Sequence, residues 1–255
     1  MQKSSVKTYS RAGQGLGGVW EDVEAVLERD PAATSRLEVL LTYSGFHAVQ
    51  LHRLAHRLHL ANHPLAARLV SQFNRWFTQV EIHPAAVIGR RLFIDHGSGV
   101  VIGETAEIGD DVTILQGVTL GGTGKESGKR HPTIGARVAI GTGAKILGGF
   151  TVGENSRIGA NSVVVREVPP NATVVGAPGR VVRLDGKRTD VPSADLNWTD
   201  MPDPEQQDVE RLMLRIRDLE ERLERLEAGP AAPHPNEAQR AEVDTGRDAN
   251  ANRIL

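Results

Sequence analysis

Aliphatic residues recur every six positions through the middle of this chain, from Ile82 to Val164. An α-helix favours a period of about 3.6 and a half-buried strand a period of about 2, so a sustained period of about six is typical of a hexapeptide β-helix. Glycine often follows the repeated residue directly. The repeated positions are Ile82, Ile88, Ile94, Ile102, Ile108, Ile114, Leu120, Ile134, Ile140, Ile146, Val152, Ile158 and Val164.

Each six-residue unit is expected to form a short strand and a turn, with its aliphatic side chain directed inward. The following glycine is expected to occupy a corner where a positive φ would disfavour a Cβ atom. Three such units complete one triangular coil. The repeats therefore predict a parallel β-helix of roughly four stacked coils across residues 80–184.

The composition fits a narrow prism and limits the classes of partner. Hydrophobic residues make up 39% of the 255 residues, whereas aromatic residues make up only 4%. The net charge of −2, with both signs interspersed, gives no electrostatic reason to expect nucleic acid or a membrane surface. The absence of cysteine excludes disulfides, thiolate metal sites and a cysteine nucleophile. Without a long apolar run or signal core, the chain is expected to be soluble and cytoplasmic.

A small α-helical domain is predicted to precede the repeats over residues 19–79, which makes the fold class α+β. Asp30-Pro31 is expected to open its second helix as N-cap and first-turn proline. A fourth helix should start at Pro64, with large apolar residues along one side. The remaining segments are predicted to be a disordered N-terminus (1–18), a linker (185–205), a C-terminal amphipathic helix (206–228) and a disordered tail (229–255).

Histidines form a stripe in the third predicted helix. Their spacing superficially suggests a metal site. Because no carboxylate or cysteine accompanies them, we favour a polar helix face or a subunit contact instead. The histidines are His52, His56, His59 and His63.

Apolar residues in the C-terminal helix alternate at steps of three and four, with Glu and Arg between them. This is the a/d pattern of about three heptads, which favours a coiled coil on an assembly that already holds several copies. A helix folded back on the body is the alternative. The seam consists of Val209, Leu212, Ile216, Leu219, Leu223 and Leu226.

The period of six breaks twice, and both breaks carry reactive side chains. The step from Ile94 to Ile102 is eight residues, and the step from Leu120 to Ile134 is fourteen. A periodic fold accommodates insertions at corners, where loops project and often carry function. The first insertion contains Asp95 and His96, and the second contains Lys125, Lys129, Arg130 and His131.

The breaks follow the third and the seventh repeat units, so they leave the prism at different corners. One prism would hold them apart. Neighbouring prisms around a threefold axis bring different corners together at similar heights. We therefore predict a homotrimer with active sites between subunits.

The residues at the breaks suggest an acid–base reaction on an amino acid. His96 is the group there that exchanges a proton at neutral pH, which makes it the candidate general base. Glu81 lies about one coil upstream and is expected to orient its other ring nitrogen. No nucleophilic side chain stands beside a base, so direct attack by a substrate hydroxyl is implied. Arg130 suits a carboxylate, and Asp95 suits an ammonium group.

Several segments make the chain similar to the serine O-acetyltransferases of the shorter bacterial type, over about residues 22–227. The most specific are the helical segment ending in Gly45-Phe46-His47-Ala48 and the loop 119–125, of sequence Thr-Leu-Gly-Gly-Thr-Gly-Lys. Others are residues 29–33, 81–86, 94–97, 101–105, 130–132 and 141–148.

The resemblance implies a left-handed parallel β-helix and the transfer of acetyl from acetyl-CoA to L-serine, which gives the O-acetyl-L-serine used in cysteine biosynthesis. His96 matches the family's catalytic base and Glu81 its carboxylate partner. The resemblance assigns Asp30 and Asp95 to the serine ammonium, Arg130 and His131 to the carboxylate and reacting end, and Gly122, Thr123, Thr142, Gly143 and Arg157 to acetyl-CoA.

Two positions depart from the family pattern. The dyad carboxylate is an aspartate in some members and is Glu81 here. The family's C-terminus often ends in isoleucine and docks into O-acetylserine sulfhydrylase, whereas this chain ends Ile254-Leu255. The further assemblies that the resemblance implies are a dimer of trimers and a complex with O-acetylserine sulfhydrylase through the C-terminal tail.

Rival functions on the same scaffold are an acetyltransferase acting on a sugar or antibiotic hydroxyl and a zinc-dependent lyase of carbonic anhydrase type. The lyase requires three histidines that converge on a metal. The repeats contain His83, His96 and His131, widely separated in sequence. We therefore expect no metal.

Overall fold

The computed structural model describes residues 16–124, 127–188 and 204–227. The chain divides into two compact units, the first ending at Pro204 and the second beginning at Glu205. The disordered N-terminus predicted for residues 1–18 was wrong for residues 16–18, because helix α1 begins at Leu16. Residues 1–15, the predicted tail (229–255) and most of the predicted linker lie outside the described residues. No described helix is long and apolar enough to span a membrane.

The helical domain precedes the β-helix, as predicted. Its helices are α1 Leu16–Arg29, α2 Arg36–Thr42, α3 Ser44–Leu60 and α4 Pro64–Thr78.

Asp30 does not open the second helix, so that prediction was wrong. Ser35 is the N-cap of α2, and its side chain accepts a hydrogen bond from the Glu38 N–H at 3.2 Å. The Glu38 carboxylate in turn accepts the N–H of Thr34 at 2.8 Å. Asp30 instead closes a turn, in which its Oδ1 accepts the N–H of Ala32 at 2.8 Å. Its second carboxylate oxygen, Oδ2, accepts the Tyr43 hydroxyl at 2.8 Å.

Short strands follow the helices at the predicted period. Their bounds are β1 Glu81–Ile82, β2 Val87–Ile88, β3 Phe93–Ile94, β4 Val101–Ile102, β5 Glu107–Ile108, β6 Thr113–Ile114, β7 Thr119–Gly121, β8 Thr133–Ile134, β9 Ala139–Ile140, β10 Lys145–Leu147, β11 Thr151–Val152, β12 Arg157–Ile158, β13 Val163–Val164, β14 Ala172–Val175, β15 Arg180–Leu184 and β16 Lys187–Arg188.

The strands stack in three sheets within the described residues, and up to β13 each sheet takes every third strand. The first sheet contains β1, β4, β7, β10 and β13, the second contains β2, β5, β8 and β11, and the third contains β3, β6, β9, β12 and β14. Neighbours from β1 to β14 are parallel, with the repeated aliphatic residues in register, for example Ile82 with Ile102. The predicted parallel β-helix is confirmed. Strands β15 and β16 add antiparallel pairs to the third sheet, so residues 185–188 continue the sheet instead of starting a linker.

The core is the predicted aliphatic ladder. Ile108, Ile114, Ile134 and Ile140 are fully buried, and the cluster runs continuously from Val80 to Val174. Because every coil places one repeated residue on each inner wall, burial fixes the register along the whole prism.

The repeat glycines serve a different purpose from the one predicted. Gly135 and Gly153 do not have positive φ angles; a Cβ at Gly135 would lie 2.5 Å from the backbone nitrogen of Glu154 in the next coil. Positive φ falls two residues later, at Arg137 (57°) and Asn155 (64°). The glycine is needed because successive coils approach closely there, and the residue two positions later makes the turn.

Helix α4 packs on strand β1 and on helix α3 through small and polar residues. Ser71 is buried and donates to the Ile82 carbonyl at 2.7 Å, and Asn74 donates to the Ala48 carbonyl at 2.9 Å. The large apolar residues predicted for one side of α4 face away from the chain; Trp76 is 78% exposed. The other members of this exposed apolar face are Leu65, Leu69, Phe73 and Phe77.

The histidine stripe lies partly inside the protein. His52 is buried, and burial lowers its pKa to about 3, so it stays neutral. His56 Nδ1 is 2.7 Å from the carbonyl oxygen of Pro84. The predicted polar helix face is thus wrong for these two residues, which pack between α3 and the first coil. The described residues contain no group of three side chains placed to hold a metal.

Helix α5, Pro204–Glu227, belongs to the second compact unit except for its first residue. The seam residues Leu212, Ile216, Leu219 and Leu223 are exposed. Asp218 pairs with Arg215 at 3.0 Å and with Arg222 at 3.4 Å along the helix surface.

Candidate active site

The first break forms a loop between β3 and β4, at the corner where the chain passes from the third sheet to the first. We call this the third-to-first corner. His96 has a φ of 57°, a region that residues with a Cβ seldom occupy. The N–H of Gly97 donates to the Asp95 carbonyl at 2.7 Å, which closes a tight turn around His96. The His96 side chain is 75% exposed and projects from this turn.

The helical domain holds this loop in place. Ser44, at the start of α3, donates its hydroxyl to the His96 carbonyl at 3.0 Å. Gln79, the C-cap of α4, accepts the Ser98 hydroxyl at 2.6 Å and the Gly99 N–H at 3.1 Å. Gly45 allows the close approach, since a Cβ there would lie 1.9 Å from the Ile94 carbonyl oxygen.

Tyr43, a residue to which sequence reasoning gave no role, binds Asp30 close enough to the His96 loop to sense the charge of Asp95. The Tyr43 hydroxyl donates to Asp30 Oδ2 at 2.8 Å. Burial, that hydrogen bond and the nearby charges of Asp30 and Asp95, among others, raise the pKa of Tyr43 to about 12, so it remains a donor. Its only signal was its place as the first residue of the segment 43–48, which carries part of the resemblance. Two carboxylates and a phenol thus lie beside the His96 loop.

Glu81 does not hydrogen-bond His96 within the described residues. Its carboxylate pairs with Arg75 of α4 at 3.2 Å, and its N–H donates to the Val100 carbonyl at 2.9 Å. The His96 ring nitrogen Nε2 lies 3.9 Å from Asp95 Oδ1. Glu81 is therefore placed next to the strand that follows the His96 loop, but the dyad itself remains a prediction.

The second break lies between β7 and β8, where the chain passes from the first sheet to the second. We call this the first-to-second corner. Thr105 organises it from the coil below: its hydroxyl oxygen accepts the N–H of Arg130 at 3.1 Å and of His131 at 3.0 Å. The Lys129 ammonium donates to the Thr105 carbonyl at 2.8 Å and to Glu107 Oε1 at 3.0 Å.

Arg130 and His131 stand side by side at this corner. Arg130 pairs with Glu104 at 2.5 Å, and this pairing lowers the pKa of Glu104. His131 is 8% exposed, and burial together with the charge of Arg130 lowers its pKa. Its ring lies over Gly103, where a Cβ would be 2.1 Å from Nε2. The pair therefore combines a fixed positive charge with a neutral imidazole.

The residues assigned to acetyl-CoA occupy both corners. Gly122 and Thr123 lie on the second break, and a Cβ on Gly122 would be 3.2 Å from His131 Nε2. Thr142 and Gly143 continue the third-to-first corner two coils beyond His96, and Arg157 lies on the third sheet in β12. One chain thus brings Asp30, Asp95 and His96 together at one corner and Gly122, Arg130 and His131 at another.

Two protein-family models match parts of this chain. Residues 131–166 match the family described as bacterial transferase hexapeptide (six repeats), and residues 3–51 match the family described as serine acetyltransferase, N-terminal.

Individual relatives match most of the chain. It is 57% identical over 210 residues to the serine acetyltransferase of Bacillus subtilis (strain 168), covering 81% of this chain and 95% of the relative. It is 54% identical over 219 residues to that of Bacillus pumilus (strain SAFR-032), covering 86% and 96%. The solved structure of the Brucella abortus strain S19 serine acetyltransferase in complex with coenzyme A matches with a TM-score of 0.64 and 49% identity, covering 65% of this chain and 66% of that one.

Proposed function

This chain belongs to the serine acetyltransferase family and is an acetyl-CoA-dependent enzyme that acetylates the hydroxyl of L-serine, and we propose that the residues at its two repeat breaks carry out the transfer. The observation that carries the assignment of roles is the grouping of Asp30, Tyr43 and Asp95 beside the His96 loop. An ammonium group bound there would place the hydroxyl of the same amino acid next to an exposed imidazole.

His96 is the proposed general base. It takes the proton of the serine hydroxyl while that oxygen attacks the acetyl carbonyl carbon, and it returns the proton to the CoA sulfur as the carbon–sulfur bond breaks. Ser44 and Gln79 hold its loop on the helical domain. Glu81 would fix the ring tautomer after exchanging its contact with Arg75, which is a half-exposed and therefore weak ion pair.

The substrate carboxylate is assigned to Arg130, whose guanidinium has the geometry for two parallel hydrogen bonds. Glu104 already orients that guanidinium. His131 lies beside it, and Gly122, Thr123, Thr142, Gly143 and Arg157 form the proposed acetyl-CoA groove. Asp30 and Asp95 complete the serine site by accepting its ammonium group.

A homotrimer would bring the two corners together, because a threefold axis places the third-to-first corner of one subunit against the first-to-second corner of the next. We assign the β-helix a left-handed winding on the strength of the family resemblance. The exposed apolar face of α4 is large for a surface that stays in water, and it supports a dimer of trimers joined through the helical domains. Docking of the C-terminal tail into O-acetylserine sulfhydrylase remains a prediction, since that tail lies outside the described residues.

Helix α5 is proposed to form a parallel coiled coil with α5 of other subunits. In heptad terms Arg215 and Arg222 occupy g positions, while Glu220 and Glu227 occupy e positions. A parallel, in-register coil pairs each g position with the next e position of its neighbour, so both pairs have opposite charges. An antiparallel coil would place Arg against Arg and Glu against Glu. Charge therefore selects the parallel arrangement.

A single cysteine tests this coil, because the chain has none of its own. Leu212→Cys places the thiol at a d position, where identical residues of parallel helices face each other within disulfide reach. We expect most chains to form covalent dimers under mild oxidation, measured by non-reducing electrophoresis. Leu214→Cys, two residues away at the outer f position, is the matched control. Equal cross-linking of both variants would contradict the coil.

The reaction itself is tested by thiol release from acetyl-CoA. We expect release to depend on L-serine and to be much slower with D-serine or with sugars, because the acidic pair and Arg130 together recognise an α-amino acid of one hand. The measurement is initial rate with a thiol reagent at matched substrate concentrations. Thiol release that requires a sugar and does not depend on L-serine would contradict this function and favour the rival acetyltransferase, which acts on a sugar hydroxyl.

A further inference from the structure

The hydrogen bonds of Thr105 settle which nitrogen of His131 carries the proton. The backbone N–H of Thr105 points at His131 Nδ1, with the two nitrogens 3.2 Å apart. A backbone N–H can only donate, so Nδ1 must accept and cannot bear a hydrogen. The neutral ring therefore carries its proton on Nε2.

The Thr105 hydroxyl enforces the same state. Its oxygen already accepts two backbone N–H groups, from Arg130 and His131. Its own hydrogen is left to donate, and His131 Nδ1 lies 2.9 Å away. Both donors of Thr105 thus converge on one ring nitrogen. Protonation of Nδ1 would set an N–H against these donors, so the contacts disfavour the imidazolium form.

Burial and the charges around the ring also favour the neutral form. Burial lowers the pKa of His131 most, Arg130 and Lys129 on its own loop lower it further, and Glu104 from the coil below opposes them. His83 of the first coil also faces this cluster. His131 is therefore a neutral imidazole at ordinary pH.

The Nε2–H has no hydrogen-bond partner among the described residues. It lies along the ring edge that covers Gly103, and it faces Gly122, a residue of the proposed acetyl-CoA groove. Arg130, next to it, already supplies a charged partner for the substrate carboxylate. The free N–H is therefore available to an oxygen nearer the acetyl group.

We propose that Thr105 is a positioning residue that holds His131 as a neutral Nε2–H donor, and that this N–H stabilises the negative oxygen formed on the acetyl carbonyl during transfer. Only the second part of this proposal, the stabilisation of the carbonyl oxygen, rests on the proposed function. The step needs no proton from His131: the carbonyl oxygen gains charge as serine attacks, keeps a hydrogen bond, and loses that charge when CoA leaves. A preoriented neutral donor of this kind needs no rearrangement as the charge develops.

Thr105→Val is the decisive variant, because it removes the hydroxyl and keeps the branched shape and the backbone N–H. We expect kcat to fall by about 10-fold or more, the scale on which a donor to a developing oxyanion acts, with a smaller change in the KM for serine. Thr105→Ser retains the hydroxyl and should restore kcat. Glu107→Gln is the control for a less tightly held loop, because it weakens only the ion pair of Glu107 with Lys129, on the loop that carries His131. This variant should keep wild-type activity.

Nitrogen-15 NMR of the imidazole rings gives a readout independent of activity, with His131→Gln used to assign the signal. The wild-type ring should show protonated Nε2 and unprotonated Nδ1. In Thr105→Val we expect a mixture of tautomers and a pKa shifted upward, because a donor that opposes protonation is gone. Protonated Nδ1 in the neutral wild-type ring would overturn the tautomer, and an unchanged ring in Thr105→Val would overturn the role of Thr105. A changed tautomer or pKa of His131 in Thr105→Val with an unchanged kcat would contradict the stabilisation of the carbonyl oxygen by His131. Absence of serine-dependent activity in the wild type would contradict only the proposed function.

Discussion

Replacing His96 by alanine is expected to lower kcat by about 10²-fold or more, the usual contribution of a general base. The side chain projects from a tight turn that Ser44 and Gln79 hold, and it is mostly exposed, so its removal deletes the base without opening the core. The KM for serine should change far less, because the ammonium and carboxylate partners remain. Initial rates of thiol release at saturating acetyl-CoA measure both constants.

His63→Ala is the matched control for this variant. His63 is an exposed histidine at the start of α4 whose side chain makes no capping hydrogen bond. It should leave kcat unchanged, and both variants should keep the wild-type circular dichroism and oligomeric state. Full activity in His96→Ala would mean that the base lies elsewhere in the chain.

The period of six was sufficient to predict the β-helix, its strands and its register. Each repeated residue, such as Ile108 or Ile134, is buried by the coils on either side, so one local rule recurs along the prism. The same rule located both insertions, because a step of eight or fourteen cannot be placed inside a strand. The helix bounds were predicted less accurately, because capping depends on which side chain reaches which N–H. Ser35 is the N-cap of α2 instead of Asp30.

Contacts between distant residues were not predictable from spacing. The repeat glycines make room for the next coil, which becomes evident only when Gly135 is seen beneath Glu154. Nothing in the sequence linked Tyr43 to Asp30, or Thr105 to His131, because each pair joins segments that meet only after folding. The apolar residues of α4 have the helical period of a buried face, but this chain does not cover them. It buries the opposite side of α4, which carries small and polar residues, and Trp76 faces outward.

Mixed trimers provide the sharpest test of a site shared between subunits. In the proposed trimer each site takes His96 from one subunit and Arg130 from the next, so chains carrying His96→Ala and chains carrying Arg130→Ala are each defective at every site. When both chains assemble together, a site is intact if its His96 comes from an Arg130→Ala chain and its Arg130 from a His96→Ala chain. Random assembly from equal amounts makes about a quarter of the sites intact under threefold symmetry.

We therefore expect co-expression of the two variants under different affinity tags, followed by purification on both tags, to recover activity far above that of either variant alone. Serine should be below saturation, so that loss of the Arg130 contact is visible in the rate. A His96→Ala chain combined with an Asp95→Ala chain is the matched control, because both residues belong to the same corner and no mixture can restore a complete site. If this control recovers activity as well as the test pair, or if neither recovers it, the two corners do not meet across a subunit boundary, and the separation of His96 from Arg130 along the prism would require a different explanation.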